Sequence, residues 1–112
     1  MNNVENAPVI VDVRATIDSA AGRPAVLTDR VRNLLEGGAH YVLLNVANIS
    51  YADSLVLGAV MQAYAAAIRQ GATLKLTNTS RRFRELLRVT KLDRVIETIE
   101  IVESKRDASA AQ

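Results

Sequence analysis

Six consecutive residues, Tyr41-Val42-Leu43-Leu44-Asn45-Val46, carry five apolar side chains and no charge, and the segments on either side of them have helical periodicity. Successive side chains of a strand point to opposite faces, so a strand that is apolar throughout needs both faces covered. Upstream, Leu27, Val31, Leu34 and Leu35 fall at i, i+4, i+7 and i+8, with Asp29, Arg30, Arg32 and Asn33 on the other side. Downstream, helix is expected from about Ser54 to Gln70, where Gly71 stops it. The run is therefore predicted to be a central strand between two helices, the signature of a parallel sheet built from βαβ units.

The rest of the chain extends this alternation. In Val9–Ile17 the odd positions 9, 11, 13 and 17 are apolar, with Asp12, Arg14 and Thr16 between them. That predicts a half-buried strand over the whole segment. Asp18 to Gly22 reads as a turn, and Pro24 suits the first turn of the helix that ends at Gly37-Gly38. Ala47 to Asp53 reads as a loop. Thr73-Leu74-Lys75-Leu76-Thr77 alternates as a strand, and Asn78-Thr79-Ser80 reads as a cap region. A short amphipathic helix, Arg81 to about Val89, should turn Phe83, Leu86 and Leu87 inward, and Val95–Ile99 is expected as a last short strand. The order β-α-β-α-β-α-(β) implies a mostly parallel sheet with right-handed crossovers. Residues 1–8 form a polar lead-in, 9–103 one domain, and 104–112 a tail expected to be disordered.

Composition narrows the function. A chain of 112 residues is one domain. With no cysteine, disulfides, thiolate metal sites and a cysteine nucleophile are excluded, and the single His40 cannot build a histidine metal cluster. His40 lies just before a strand and reads as a surface or turn residue. No Gly-x-Ser-x-Gly elbow, Walker loop or G-x-G-x-x-G is present, so catalysis and nucleotide binding lack a local motif. The longest uncharged apolar stretch, Leu55 to Ile68, is too short to span a membrane. The first residues have no signal-peptide pattern, and a cytoplasmic location is the expectation. The net charge is only +2, but Arg69–Arg94 holds eight Lys/Arg against two acids. One end of the domain is expected to be basic.

The segment with most chemical content is Ile49-Ser50-Tyr51-Ala52-Asp53-Ser54-Leu55-Val56-Leu57-Gly58. Asp53 or Ser54 can cap the helix that starts here. A second role comes from the apolar turn Leu55, Val56 and Leu57, where a solvated helix start is usual; such a rim suggests a surface that meets a partner. A phosphate on Ser54 would place about two negative charges beside Asp53 in that rim and oppose docking. These are the parts of a phosphoserine switch. Gly58, inside the helix, is expected to allow close helix–strand packing.

From about Val9 to Val95 the chain resembles STAS domains, in particular the bacterial anti-sigma factor antagonists of the sporulation type. Ala15-Thr16-Ile17-Asp18 stands for the family's Gly-x-Leu-Asp, and Leu44-Asn45-Val46 for its Leu-Asn-Leu strand end. Tyr51-Ala52-Asp53-Ser54-Leu55-Val56-Leu57-Gly58 matches aromatic-x-Asp-Ser-Ser-Gly-Leu-Gly. Gln70–Leu76 answers Gly-Gly-x-Leu-x-Leu, and Ser80–Leu87 answers Ser-Pro-x-Val-x-x-Leu-Leu. The resemblance implies an α/β fold with a four- to five-stranded mixed sheet and helices mainly on one face. It implies a phosphoacceptor at Ser54, no catalytic role and no cofactor or metal. The implied partner is an anti-sigma factor that is also a serine kinase, whose binding frees a sigma factor; a phosphatase resets the antagonist. Asp18 and Asp53 would lie beside the serine and help form the partner surface, with Leu55 and Val56 in the rim.

The chain departs from the pattern at three places, the first an opening strand expected to be shortened or absent, since only eight residues precede Val9. Leu55 and Val56 replace Ser-Gly of the signature, and Thr90-Lys91-Leu92 replaces a late Ser-Gly-Leu. Bulk at Leu55 and Val56 favours an alternative, a phosphorylation-independent scaffold or accessory subunit in a stressosome-like or transporter-associated setting. Arg81, Arg82, Arg84 and Arg88 form a basic helix face, read first as a solvated face and, in the alternative, as a docking face with Arg81 and Arg82 as partner contacts. A nucleic-acid module is the remaining alternative, opposed by the near-neutral charge and the lack of an exposed aromatic beside the arginines. A monomer or weak homodimer without membrane insertion is expected.

Overall fold

The structure, a computed structural model, describes residues 7–19, 25–47, 49 and 54–99; the side chains of Asp18, Ser19, Ser54 and Leu55 lie outside that description. Four strands, β1 (Val9–Asp12), β2 (Tyr41–Asn45), β3 (Thr73–Thr77) and β4 (Thr98–Ile99), lie in the order β1-β2-β3-β4. Each neighbouring pair is parallel, with Val11 opposite Leu44 and Leu44 opposite Leu76. The α/β class stands. The mixed sheet is corrected: among the described residues every pairing is parallel, because a helix intervenes before each new strand. The helices are α1 (Val13–Ser19), α2 (Ala25–Glu36), α3 (Ser54–Arg69) and α4 (Arg81–Val89), followed by a 3-10 turn at Leu92–Arg94.

Strands added one after another on the same side, through right-handed crossovers, place every helix on one face of the sheet. The core agrees. Val11, Val42, Leu44, Leu74 and Leu76 meet Val13 of α1, Leu27, Val31 and Leu35 of α2, Val60 and Ala63 of α3, and Phe83 and Leu87 of α4 in one buried cluster. Each fully buried Val, Leu or Phe is worth about 1.5–3 kcal/mol over exposure. The second face carries Ile10, Tyr41, Leu43 and Lys75. Leu43 is only 3% exposed but lies outside that cluster, and its neighbour Ile10 is 47% exposed. The apolar run of β2 is thus fully buried on the helix-covered face, while on the second face Leu43 is buried but Tyr41 and Asn45 are only half-buried, less cover than the both-face burial expected.

The strand expected over Val9–Ile17 ends at Asp12. The Asp12 carboxylate accepts the Ala15 N–H at 2.9 Å, which caps a helix. Val13 and Ile17, odd positions of the strand pattern, are also i and i+4 of a helix, and both pack on the core. Of the turn expected at 18–22, Asp18 and Ser19 are helical instead, and the remainder lies outside the described residues. The last strand is shorter than 95–99, because Leu92–Arg94 winds into the 3-10 turn and Ile96 is buried in the core. Gly58 does not serve close packing: it is exposed, and a Cβ there would meet nothing within 4 Å. Gly38 (φ 110°) and Gly71 (φ 74°) do what the sequence suggests. Ala39 N–H bonds Leu34 O and Ala72 N–H bonds Ala67 O, closing α2 and α3 with Schellman turns.

Candidate functional site

In a parallel sheet all carboxyl ends point the same way, and ligands and partners are met there. Helices α1, α3 and α4 start at this end, after β1, β2 and β3. Helix α2 runs back towards the start of β2, so the end of α1, with Asp18, is also brought here. Side chains close the turns. Asn45 Oδ1 accepts the Ala47 N–H at 2.9 Å and Asn78 Nδ2 at 3.2 Å. Asn78 has φ 61°, a left-handed backbone that Asn tolerates better than most residues. The pair ties the loop leading to α3 to the turn leading to α4. Thr77, the register partner of Asn45, is fully buried with its hydroxyl unpartnered. Ser80 caps α4, its Oγ accepting the Phe83 N–H at 3.0 Å.

Of the sequence-predicted residues, Ser54 is the first residue of α3 and Leu55 the second. Asp18 lies in the last turn of α1. The side chains of these three, and all of Asp53, lie outside the described residues. The topology brings Asp18, Ser54, Arg81 and Arg82 to one end of the sheet. The apolar rim is narrower than expected: Val56 and Leu57 are half-buried and pack against the core, where their spacing to Val60 and Ala63 carries them. Arg81 and Arg82 are exposed in the first turn of α4. Arg84 Nη1 reaches back to the carbonyl and hydroxyl oxygens of Thr79, both at 3.5 Å, and Arg88 pairs with Glu85 at 3.0 Å. A groove of about 410 Å3 opens between these arginines and the chain entering β4.

The Asn45–Asn78 clamp and the groove were not predicted as site features. The available signals were Asn78 at a turn without glycine and the arginine spacing of i, i+3 and i+7. His40 is exposed, and its carbonyl accepts the Thr73 N–H, a turn role as expected. Among the described residues no group of His, Asp or Glu could hold a metal ion, and no helix is long and apolar enough to cross a membrane.

The chain matches the STAS domain family over residues 1–108 and belongs to it. Among solved structures it is similar to TM1081 of Thermotoga maritima, a candidate anti-sigma factor antagonist. Against the crystal structure the identity is 18%, the TM-score 0.62, and the match covers 80% of this chain and 77% of that one. Against the solution structure of TM1081 the identity is again 18% and the TM-score 0.61. That match covers 73% of this chain and 66% of the other, just under two thirds. No protein of curated function matches the chain.

Proposed function

We propose that this STAS domain is an anti-sigma factor antagonist, which binds an anti-sigma factor with serine kinase activity and so releases a sigma factor. The observation that carries the proposal is the position of Ser54, which opens α3 at the carboxyl end of the parallel sheet, in the family's signature. The likeness to TM1081 supports the fold and is consistent with this role. The docking surface comprises Asp18 at the end of α1, Asp53 and Ser54 at the start of α3, Leu55 and Val56 beside them, and Arg81 and Arg82 on α4. Phosphorylation of Ser54 adds about two negative charges next to Asp53, and repulsion and desolvation then oppose docking. A phosphatase resets the switch. The protein binds and does not catalyse, in the cytoplasm, with neither cofactor nor membrane insertion.

The half-burial of Val56 favours one second reading. A β-branched residue held against the core where the family has glycine adds bulk beside the serine, as a standing scaffold contact tolerates and a kinase site does not. Binding of Ser54→Asp and Ser54→Ala to the kinase separates the two. The switch predicts that Ser54→Asp weakens binding at least about tenfold, the equivalent of 1.4 kcal/mol, while Ser54→Ala keeps it. Equal affinities overturn the switch. Intact mass with site mapping of protein from growing and stressed cells then shows whether Ser54 carries phosphate.

A further inference from the structure

Helix α4 accepts two local costs that its fold does not require. Arg81 and Arg82 stand in its first turn, which holds no acid, so their charge opposes the positive end of the helix dipole. Lys91, just past its end, has φ 64°, a left-handed backbone that is strained for any side chain of its kind. Each cost adds a cation to the same element. Arg81–Arg94 holds six Lys/Arg against Glu85 and Asp93. Only Arg88 of the six is in an ion pair among the described residues; Arg81, Arg82, Lys91 and Arg94 are in none. Local rules broken without a structural return mark functional surfaces.

The groove gives these charges a shape. Arg81, Arg84 and Arg88 line one side, Asp93 and Thr98 the other, and Leu87 contributes apolar surface. Arg88 is held by Glu85 and Arg84 Nη1 reaches the Thr79 oxygens at 3.5 Å, which leaves Arg81 and the remaining N–H groups of Arg84 for a ligand. The far wall is the start of β4, the last strand in the sheet order, and no described strand pairs with its outer edge. We propose that this groove docks an extended acidic segment of a partner protein, its carboxylates on Arg81 and Arg84. A guanidinium fork matches a carboxylate in two parallel hydrogen bonds. No described strand takes up the outer main-chain groups of β4, and an extended chain can pair with such groups. Among the described lining residues no aromatic is available for base stacking, which disfavours single-stranded nucleic acid. The inference rests on the proposal that the domain is an interaction module and adds to that docking surface, with which it shares Arg81, a groove running along α4.

The test uses the full chain and three probes: a short oligo-glutamate peptide, an oligo-glutamine peptide of the same length, and a single-stranded oligonucleotide of equal charge. Oligo-glutamate should shift the amide signals of α4 and β4, and oligo-glutamine should not. Arg81→Glu combined with Arg84→Glu should weaken that binding at least about tenfold. The same variant should melt at an equal or higher temperature, because acids suit a helix start, so lost binding is not lost folding. The proposal is overturned if oligo-glutamate causes no shift, if charge reversal leaves binding unchanged, or if the oligonucleotide binds more tightly. The measurement involves no kinase and no phosphate, so its failure leaves the Ser54 switch standing, and a constitutively unmodified Ser54 leaves the groove standing.

Discussion

Gly58 and Gly71 sit on the same helix or at its end, and alanine at the two should act in opposite directions. Gly58 lies in the interior of α3, exposed, with a negative φ and open space where a Cβ would project. Alanine there should stabilise the domain by about 1 kcal/mol, the usual helix-interior difference. Gly71 closes α3 at φ 74°, where a Cβ is strained, so Gly71→Ala should cost about 1–2 kcal/mol. Urea unfolding of both variants checks the pair, and a destabilised Gly58→Ala would reveal packing that the open space around it denies. The residue that packing does not require is four positions after Ser54, on the same helix face. A bare stretch of backbone beside the proposed phosphoacceptor is a surface a partner can approach closely, which is a reason for glycine that stability alone does not supply.

At the scale of elements, caps decide boundaries that hydrophobic pattern leaves open. Ser80 holds the Phe83 N–H, so Ser80→Ala should cost about 1 kcal/mol, read as a lower urea midpoint with unchanged slope. That cap was legible, because a serine followed by an amphipathic run has few other readings. Helix α1 was not. Its Val13 and Ile17 satisfy a strand period and a helix period together, and the Asp12 carboxylate on the Ala15 N–H settles which one forms. The parallel sheet was legible from the apolar run of β2, and the suggestion of a mixed sheet came from family resemblance rather than from residues. Ser54 at the start of α3 was legible as well. The Asn45–Asn78 clamp was not, since it joins side chains 33 positions apart, and no local pattern reports such a pair.

At the scale of the molecule, the described helices lie on one face of the sheet, and on the other the strands' own side chains interact across it. Lys75 does part of this. From the centre of β3 its ammonium lies 3.1 Å from the Glu97 carboxylate and 5.8 Å from the centre of the Tyr41 ring. It therefore links β2, β3 and the approach to β4 across this second face. The hydrogen bond to Glu97, above all, holds the Lys75 ammonium above its usual pKa of 10.5, with attraction to the Glu97 charge adding to it and desolvation opposing it. A lysine whose pKa is raised by folding stabilises the fold fully below its unfolded value and loses that contribution as pH rises through the folded one. The window here opens above 10.5. Glu97→Gln removes the carboxylate while keeping the shape. Wild type and Glu97→Gln should therefore differ by a constant amount between neutral pH and the onset of that window, and converge above it. A difference that stays constant through strongly alkaline pH would mean that the bridge does not stabilise this face, and that the buried Leu43 holds it without help from charge.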